Sequence, residues 1–315
     1  MSGLRESEHL KLQLQEIRLA TNDFQTCIGK GGYGWVYKGQ LSIAGKPTTV
    51  AVKRLNEQFG QGLKEFLTEI QLLTNQNHPN LISLLGYCDE GNEKIIVYEY
   101  AARGNENWVA KISDLGLSKL SLAGLNRSAV VSHPCGTPGY CEPEYFITGI
   151  VKKESDVYSF GMVLFEVLCG RLCSVRHEHD DGLSLSARLA KDYYEKKKLI
   201  EIIDPCVKDE MSLESMNKFS AVVYGCLQDD RRDRPTMDLV VKELIQSLKI
   251  QVEYELEKEK KLMQQHHAGL ELDVLEIERV ERLIVLIMKS VSTKGVNYPI
   301  YIQGKGKGKG PSPWA

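Results

Sequence analysis

Residues 29–36 read Gly-Lys-Gly-Gly-Tyr-Gly-Trp-Val, and this stretch decides how the rest of the chain is interpreted. Because Gly29, Gly31 and Gly34 carry no Cβ, a loop built from them can bring backbone N–H groups close to a chain of phosphates. Residues 35–37 are aromatic or β-branched, so the glycines are predicted to lie in a turn between two strands. A dinucleotide-binding loop would instead open a helix. The stretch therefore predicts a glycine-rich lid over the phosphates of a nucleotide.

The composition is that of an ordinary globular chain. Its 315 residues are 42% hydrophobic and 26% charged, which is enough chain for two lobes. Forty basic and 42 acidic side chains give a net charge of -2, so the clustered positive excess typical of nucleic-acid binders is absent. The eight cysteines form no C-x-x-C pair, which argues against a zinc site or a disulfide framework and favours reduced thiols.

The sequence also bears on location. No apolar run approaches the roughly 18 residues that a membrane-spanning helix needs. We therefore expect a cytoplasmic protein without a transmembrane segment, which would associate with a membrane only through a partner.

Hydrophobic periodicity predicts two parts of different architecture. Up to about residue 101 we expect a lead-in helix and then a five-stranded sheet with one helix. Beyond a short strand at 108–112, helices dominate. The predicted segments are strands on either side of the glycine loop, strands at 48–55, 82–88 and 94–100, and helices at 10–24, 62–75, 156–169, 183–191, 215–227 and 237–248.

Three charged positions can complete a phosphate site. Lys53 lies in a strand, where a lysine is usually solvated, but after a glycine loop its ammonium group can pair with the α- and β-phosphates of ATP. Glu65 and Glu69 are one helical turn apart in the following helix, and one of them can meet Lys53. Asp114 precedes Gly116 in what is often a plain turn; in this context it is a candidate magnesium ligand.

With these motifs in order, residues from about 10 to 250 resemble the kinase domain of the plant receptor-like Ser/Thr protein kinase family. The resemblance implies an α+β, protein-kinase-like fold with a small β-rich N-lobe, an incomplete helical C-lobe and a C-terminal helical extension. It implies ATP and Mg²⁺ as cofactors, with Asp114 on the metal. The implied ATP-binding residues are Ile28, Gly29, Gly31, Gly34, Val36, Ala51, Lys53, Glu69, Tyr98, Glu99 and Ala101.

The resemblance also assigns roles to individual residues. Tyr98 would gate the pocket behind the adenine, and backbone groups of Glu99 and Ala101 would hold the adenine itself. In the second lobe, Glu144 would pair with Arg234. Three further matches are Leu115, in the place of the Phe of Asp-Phe-Gly, Thr137, as the substrate-loop threonine, and Asp156, as the core-helix aspartate that holds the backbone of the catalytic loop.

One element of the family pattern is missing from the sequence. Kinases carry His-Arg-Asp-x-x-x-x-Asn before the Asp-Phe-Gly element, where the aspartate accepts the substrate proton and the asparagine binds a second metal. Here only fifteen residues separate Tyr98 from Asp114, and no histidine precedes Arg-Asp. Two helices, two short strands and the catalytic loop, on the order of fifty residues, are absent at the junction of Asn105 and Glu106. Asp156 would then be a buried carboxylate without its partner.

The missing loop leaves this sequence with no predicted catalytic residue. We expect an ATP-binding member of the kinase family that is inactive or nearly so. Two alternatives stay open. One is a pseudokinase that serves as a scaffold or interaction protein in receptor-kinase signalling, and the other is a splice or gene-model variant that does not fold.

The predicted organisation has five parts. They are a lead-in helix (1–22), the N-lobe (23–102), a truncated C-lobe (103–248), a helical extension (249–292) and a disordered tail (293–315).

Protein substrates or partners in a signalling pathway are expected, with homo- or hetero-association through an apolar stripe near the C-terminus. That stripe comprises Leu270, Val274, Ile277, Ile284, Ile287 and Val291.

Overall fold

The computed structural model describes residues 7–31, 34–56, 62–74, 76–100, 111–118, 129–131, 136, 139–171, 173, 186–266 and 300–301. The chain divides into two compact units. Unit 1 comprises Met1–Ser118 and Tyr298–Lys305, and unit 2 comprises Lys119–Asn297 and Gly306–Ala315.

Unit 1 contains the predicted five-stranded sheet and its helix. The elements are α1 (Leu14–Ala20), β1 (Cys27–Gly31), β2 (Gly34–Ile43), β3 (Lys46–Leu55), α2 (Gly62–Thr74), β4 (Leu84–Glu90) and β5 (Glu93–Glu99). The strands are antiparallel and lie in the order β1-β2-β3-β5-β4. The prediction of a β-rich first part with one helix after β3 is confirmed.

The two faces of this sheet bury different clusters, because successive side chains of a strand point to opposite faces. Val50 and Val52 of β3 pack with Ile17 of α1 in one cluster. On the other face, Phe66 and Ile70 of α2 pack in a second cluster that includes the following residues: Leu73, Leu81, Ile96, Tyr98, Ile112 and Leu115. Ala51, Lys53 and Leu55, which alternate with the two valines along β3, therefore lie on the α2 side of the sheet.

The first described residues form a strap along the edge of the sheet, which we call the N-terminal strap (residues 7–21). Lys11 forms a parallel bridge with Tyr87 of the edge strand β4, and the Leu12 N–H donates to the Tyr87 carbonyl at 2.8 Å. A Cβ added at Gly86 would lie 2.5 Å from the Leu12 side chain, so only glycine allows the strap to approach so closely. Ile17 of α1 is fully buried. The strap is thus part of the core of unit 1, and α1 is shorter than the predicted helix at 10–24.

A short segment after β5 joins the same unit. Strand β6 (Lys111–Ile112) pairs with β9 (Ile300–Tyr301). The Ile112 N–H donates to the Asn80 carbonyl at 2.7 Å, and the Ile82 N–H donates to the Ile112 carbonyl at 2.9 Å. These bonds hold the residues that follow Ile112 beneath α2.

Unit 2 is mainly helical. A two-stranded ribbon, β7 (Ala129–Val131) with β8 (Ile150–Lys152), was not predicted from the sequence. Among the described helices none is both long enough and apolar enough to cross a membrane. The helices are α3 (Pro143–Thr148), α4 (Lys153–Cys169), α5 (Ala187–Glu195), α6 (Pro205–Glu210), α7 (Leu213–Cys226) and α8 (Met237–His266).

Helix α4 is the buried core helix that its apolar sequence predicts. It crosses α7 at Gly161, where an added Cβ would lie 2.6 Å from the Cβ of Cys226. Helices α7 and α8 are joined by a buried pair of serines. The Ser215 hydroxyl donates to the Ser247 carbonyl at 2.8 Å, and the Ser247 hydroxyl donates to the Ser215 carbonyl at 2.9 Å.

The boundary predicted at residue 248 lies inside a helix. Helix α8 continues to His266, and Gln251 ties its middle turns to α7, because its side chain accepts from the Ser212 N–H at 2.8 Å. The predicted apolar stripe lies outside the described residues. Of the predicted disordered tail only Ile300–Tyr301 is described, and these residues form β9.

A buried carboxylate in α4 was also not singled out from the sequence. Glu166 accepts hydrogen bonds from the Tyr140 hydroxyl and from the Cys173 backbone N–H. Burial raises the pKa of Glu166, although both hydrogen bonds act in the opposite direction. The folded unit therefore holds a proton on this carboxyl at pH values where the unfolded chain has released it.

This shift predicts that unit 2 loses stability as the pH rises from about 4.5 through the pKa of folded Glu166. The loss can reach about 1.4 kcal/mol for each pH unit, because one proton separates the two states. Glu166→Gln should flatten this part of the stability profile, since the amide keeps an acceptor oxygen without a charge. Urea unfolding at several pH values measures it, with the exposed Glu210→Gln as the matched control. A variant whose pH profile matches that of the wild type would contradict the assignment.

Candidate nucleotide site

The glycine loop joins β1 to β2 as the sequence predicts. Gly29 pairs with Val36, and Gly31 pairs with Gly34, so the strands converge on residues 32–33, which lie outside the described residues. Gly34 has a φ of 156°, and a Cβ there would lie 2.1 Å from the Arg54 carbonyl oxygen of β3. A side chain at this position would collide with the neighbouring strand, which accounts for the third glycine of the motif.

Lys53 lies at the centre of the site, opposite Val36 in the strand pairing. Its side chain faces the α2 side of the sheet and is only 8% exposed. The ammonium group lies 3.2 Å from a carboxylate oxygen of Glu69 and also contacts Asp114. Burial lowers the pKa of Lys53, but the nearby charges of Glu69 and Asp114 outweigh burial and raise it. Lys53 is therefore a fixed cation on the face where the phosphates of a nucleotide would lie.

Glu69, one of the two predicted candidates, is the residue of α2 that meets Lys53. It is almost fully buried and accepts three hydrogen bonds: from Lys53, from the Tyr98 hydroxyl at 2.6 Å and from the Leu115 N–H at 3.1 Å. Burial raises the pKa of Glu69, and the positive charge of Lys53 opposes that rise. Glu65, the other candidate, lies against Gly116.

Asp114 is positioned by the residues that follow it. Leu115 is 2% exposed and packs in the cluster beneath α2, in the place where the family has phenylalanine. Asp114 itself adopts a φ of 62°, a left-handed conformation that aspartate tolerates better than most residues. This turn directs its carboxylate, which is 31% exposed, towards Lys53.

The end of β5 carries two of the residues that were predicted to border the adenine, Tyr98 and Glu99. Ala51 pairs with Tyr98, whose buried hydroxyl is held by Glu69. The carboxylate of Glu99 accepts from the Ser83 hydroxyl at 2.7 Å and from the Lys111 ammonium at 2.8 Å. Burial tends to raise the pKa of Glu99, but the hydrogen bonds from Lys111 and Ser83 lower it. Ala101, the other predicted adenine contact, lies outside the described residues.

Comparison with known families matches two models along the chain. Residues 23–108 match the family described as protein tyrosine and serine/threonine kinase, and residues 104–246 match the protein kinase domain. A probable receptor-like protein kinase of Arabidopsis thaliana is 36% identical over 292 residues, covering 73% of this chain and 32% of its own length. The chain belongs to the plant receptor-like protein kinase family. A second relative, the receptor-like protein kinase ANXUR2 of the same plant, is 36% identical over 306 residues, covering 80% of this chain and 35% of its own length.

The receptor-like kinase chain spans about a third of the length of the curated relatives that it matches. Its two family models meet at residues 104–108, between β5 and β6. This is the place where the sequence lacks the catalytic loop. The site described above therefore contains the kinase elements that precede and follow the loop, all of them carried by unit 1.

In unit 2, the prediction of an ion pair between Glu144 and Arg234 is wrong. The sequence assigns Glu144 to Arg234, but Arg234 donates to the fully buried carboxylate of Glu142. Arg231 donates to Glu142 at 3.0 Å and also pairs with Glu144 at 2.9 Å. Glu144 sits in the first turn of α3 with its side chain 44% exposed, whereas Glu142 precedes the helix and points inward. The prediction placed the charge two residues too far along the chain.

Two other predicted residues of unit 2 have different outcomes. Asp156 lies in the first turn of α4; the residue as a whole is partly exposed, but its carboxylate oxygen Oδ1 is buried, which is consistent with the predicted buried carboxylate. Thr137 lies outside the described residues.

Sequence reasoning missed two polar residues of the unit 1 site. Ser83 and Lys111 fix the carboxylate of Glu99, although neither belongs to a motif that was singled out. Lys111 was detectable as a charged residue three positions before Asp114, in a strand that was otherwise read as apolar.

Proposed function

We propose that this receptor-like kinase chain binds ATP weakly through unit 1 and transfers phosphate slowly or not at all. It would then be an ATP-binding member of the Ser/Thr protein kinase family whose catalysis is impaired. The observation that carries this proposal is the joined group of Lys53, Glu69 and Asp114, in a chain whose sequence has no His-Arg-Asp loop.

The ATP part of the proposal rests on groups that fit the ligand. Because the segment that connects β1 to β2 is rich in glycine, backbone N–H groups there could approach anionic oxygens closely. Lys53 lies beside the glycine loop on the adjoining strand and supplies a positive charge. Tyr98 and Glu99 end β5, where the family binds adenine. Because the sequence lacks the segment that carries the catalytic loop in the family, affinity should be low.

The catalytic part rests on the sequence. A positioned general base contributes roughly 10²–10⁴-fold to proton transfer, and this chain has no residue that matches the aspartate of the family. The alignment with the first relative supports a deletion. It is 292 positions long but covers only 73% of this 315-residue chain, which is fewer than 292 residues. The remaining positions of the alignment must therefore be gaps in this chain.

A scaffold role is the second candidate. It is favoured by the organisation of unit 1, where the Lys53–Glu69 pair and the buried core form without the missing segment. Partners would be proteins of a signalling pathway, reached from the cytoplasm, and association through the C-terminal stripe stays a proposal. A chain that fails to fold would lack the cooperative thermal transition that either role requires.

Calorimetric titration with ATP tests the binding proposal. We expect a measurable dissociation constant, and Lys53→Met should weaken it about 10–100-fold, because a hydrogen bond to a charged group contributes about 1.5–3 kcal/mol. Lys46→Met, an exposed lysine at the start of the same strand, is the matched control and should bind as the wild type does.

Circular dichroism would establish that each variant folds, and Lys53→Arg offers a second variant that keeps the buried charge. A flat titration of the folded wild type at millimolar ATP would refute the proposal. Equal binding by the wild type and by both variants at position 53 would refute the placement of the site.

A further inference from the structure

We propose that strand β6 is a docking edge for an extended segment, and that the C-terminal strand β9 of the same chain occupies it. The inference concerns unit 1 alone and does not depend on ATP binding. It is carried by the pairing of β6 with β9, which brings residues from near the end of the chain to a strand that ends two residues before Asp114.

The first edge of β6 is filled by residues that precede β4. The Ile112 N–H donates to the Asn80 carbonyl at 2.7 Å, and the Ile112 carbonyl accepts from the Ile82 N–H at 2.9 Å. Both backbone polar groups of Ile112 therefore point to one side of β6. Because neighbouring residues of a strand direct these groups to opposite edges, the N–H and carbonyl of Lys111 point to the second edge.

Strand β9 lies on that second edge. In the antiparallel pairing, Lys111 is opposite Tyr301 and Ile112 is opposite Ile300. Hydrogen-bonded pairs alternate with non-hydrogen-bonded pairs along an antiparallel ladder. Since the backbone groups of Ile112 are already used on the first edge, Lys111 and Tyr301 form the pair that exchanges hydrogen bonds. The backbone N–H of Ile300 then points away from β6.

The side chains of β6 hold it in unit 1 independently of β9. The Lys111 ammonium group lies 2.8 Å from a carboxylate oxygen of Glu99, and Ile112 is buried in the cluster beneath α2. If β9 detached, β6 would therefore stay in place with the backbone groups of Lys111 uncovered. An uncovered strand edge of this kind accepts another extended segment.

The sequence explains why the occupant comes from the far end of the chain. Two short strands are among the elements missing from the segment just before β6, on the order of fifty residues. Residues 300–302 read Ile-Tyr-Ile, a β-branched and aromatic run that favours a strand. Tyr298–Lys305 belongs to unit 1, although the stretches on both sides of it belong to unit 2. A tethered segment has a high effective concentration at its docking edge, so it should exclude a second copy.

The experiment is amide hydrogen exchange of Lys111, followed by NMR in the full chain. Tyr301→Pro removes the N–H that donates to the Lys111 carbonyl, and exchange at Lys111 should become at least about tenfold faster. Ile300→Pro is the matched control, because it places the same ring where the backbone N–H points away from β6. Its exchange rate at Lys111 should stay within about threefold of the wild type.

Each result decides the proposal. Similar acceleration in both variants, or none in Tyr301→Pro, would overturn the assigned pairing. A wild-type Lys111 amide that exchanges as fast as in an unfolded chain would overturn the docking itself, and this measurement needs no variant. Protection that decreases when the wild type is diluted would show that a second copy supplies the strand, which would overturn the intramolecular occupant. Circular dichroism would establish that both proline variants fold.

Discussion

Replacing Glu142 by glutamine should lower the free energy of unfolding of unit 2 by about 3–5 kcal/mol, the range found when one partner of a buried ion pair is removed. Glu142 accepts from both Arg231 and Arg234, and all three side chains are buried. The substitution leaves two guanidinium groups away from water without their shared countercharge. Urea unfolding followed by circular dichroism measures the loss.

The pH dependence of the free energy of unfolding gives an independent check of the contacts between Glu142 and the two arginines. Burial alone would raise the pKa of Glu142, but hydrogen bonds from Arg231, Ser155 and Arg234 lower it. A carboxyl whose pKa is depressed by folding stabilises the folded state above its unfolded pKa, near 4.5, and loses that contribution as the pH falls through the folded value. The difference in stability between wild type and Glu142→Gln should therefore shrink in acid.

Glu144→Gln is the matched control, two residues away on the same segment. Its side chain is 44% exposed. Within the described residues, its carboxylate forms an ion pair with Arg231 alone. Exposed pairs contribute about 0–1 kcal/mol, so the cost should be small. A larger loss for Glu144→Gln than for Glu142→Gln would show that the sequence-based pairing of Glu144 with Arg234 is correct.

The second large effect concerns catalysis. In a transfer assay with radiolabelled ATP and a Ser/Thr protein substrate, we expect a turnover of about 10⁻⁴–1 s⁻¹ instead of the roughly 1–100 s⁻¹ typical of kinases, because the general base is missing. Loss of the asparagine ligand would lower the rate further. Any remaining transfer should disappear in Lys53→Met.

A gain of function provides the control for this prediction. Inserting the catalytic-loop segment of a relative, on the order of fifty residues, between Asn105 and Glu106 should restore turnover by at least about 100-fold. The proposal would be contradicted if the wild-type chain, without the insertion, turned over at ordinary kinase rates and if Lys53→Met abolished that turnover. It would mean that a carboxylate elsewhere in the chain accepts the proton.

Local pattern was sufficient to predict most of unit 1. The β-branched runs around Val50 and Ile96 predict β3 and β5 close to their observed bounds, and the spacing of Phe66 and Ile70 predicts α2. The strap was harder to predict, because its contact with the edge of β4 depends on backbone hydrogen bonds between residues 11 and 87. No local propensity encodes which strand edge a distant segment will cover.

In the candidate nucleotide site, too, some features were predicted from the sequence and others depend on tertiary packing. Its motif residues were predicted from the family resemblance. Helical spacing indicated that either Glu65 or Glu69 could meet Lys53, and the resemblance singled out Glu69, which makes the contact. The shared contact of Lys53 with Asp114 was not predicted, since it depends on the left-handed turn at Asp114 and on the burial of Leu115. Pairing of Glu142 with Arg234 was missed because both candidate glutamates flank Pro143, and only packing decides which one points inward.

The strap of residues 7–21 has a practical consequence for handling the protein. The family model begins at residue 23, so a fragment cut to that boundary would lose every bond between the strap and β4. The bare strand would offer its N–H and C=O groups to neighbouring molecules, which is how exposed sheet edges seed aggregation. Residues 7–21 therefore act as an intramolecular cover on part of the β4 edge of unit 1.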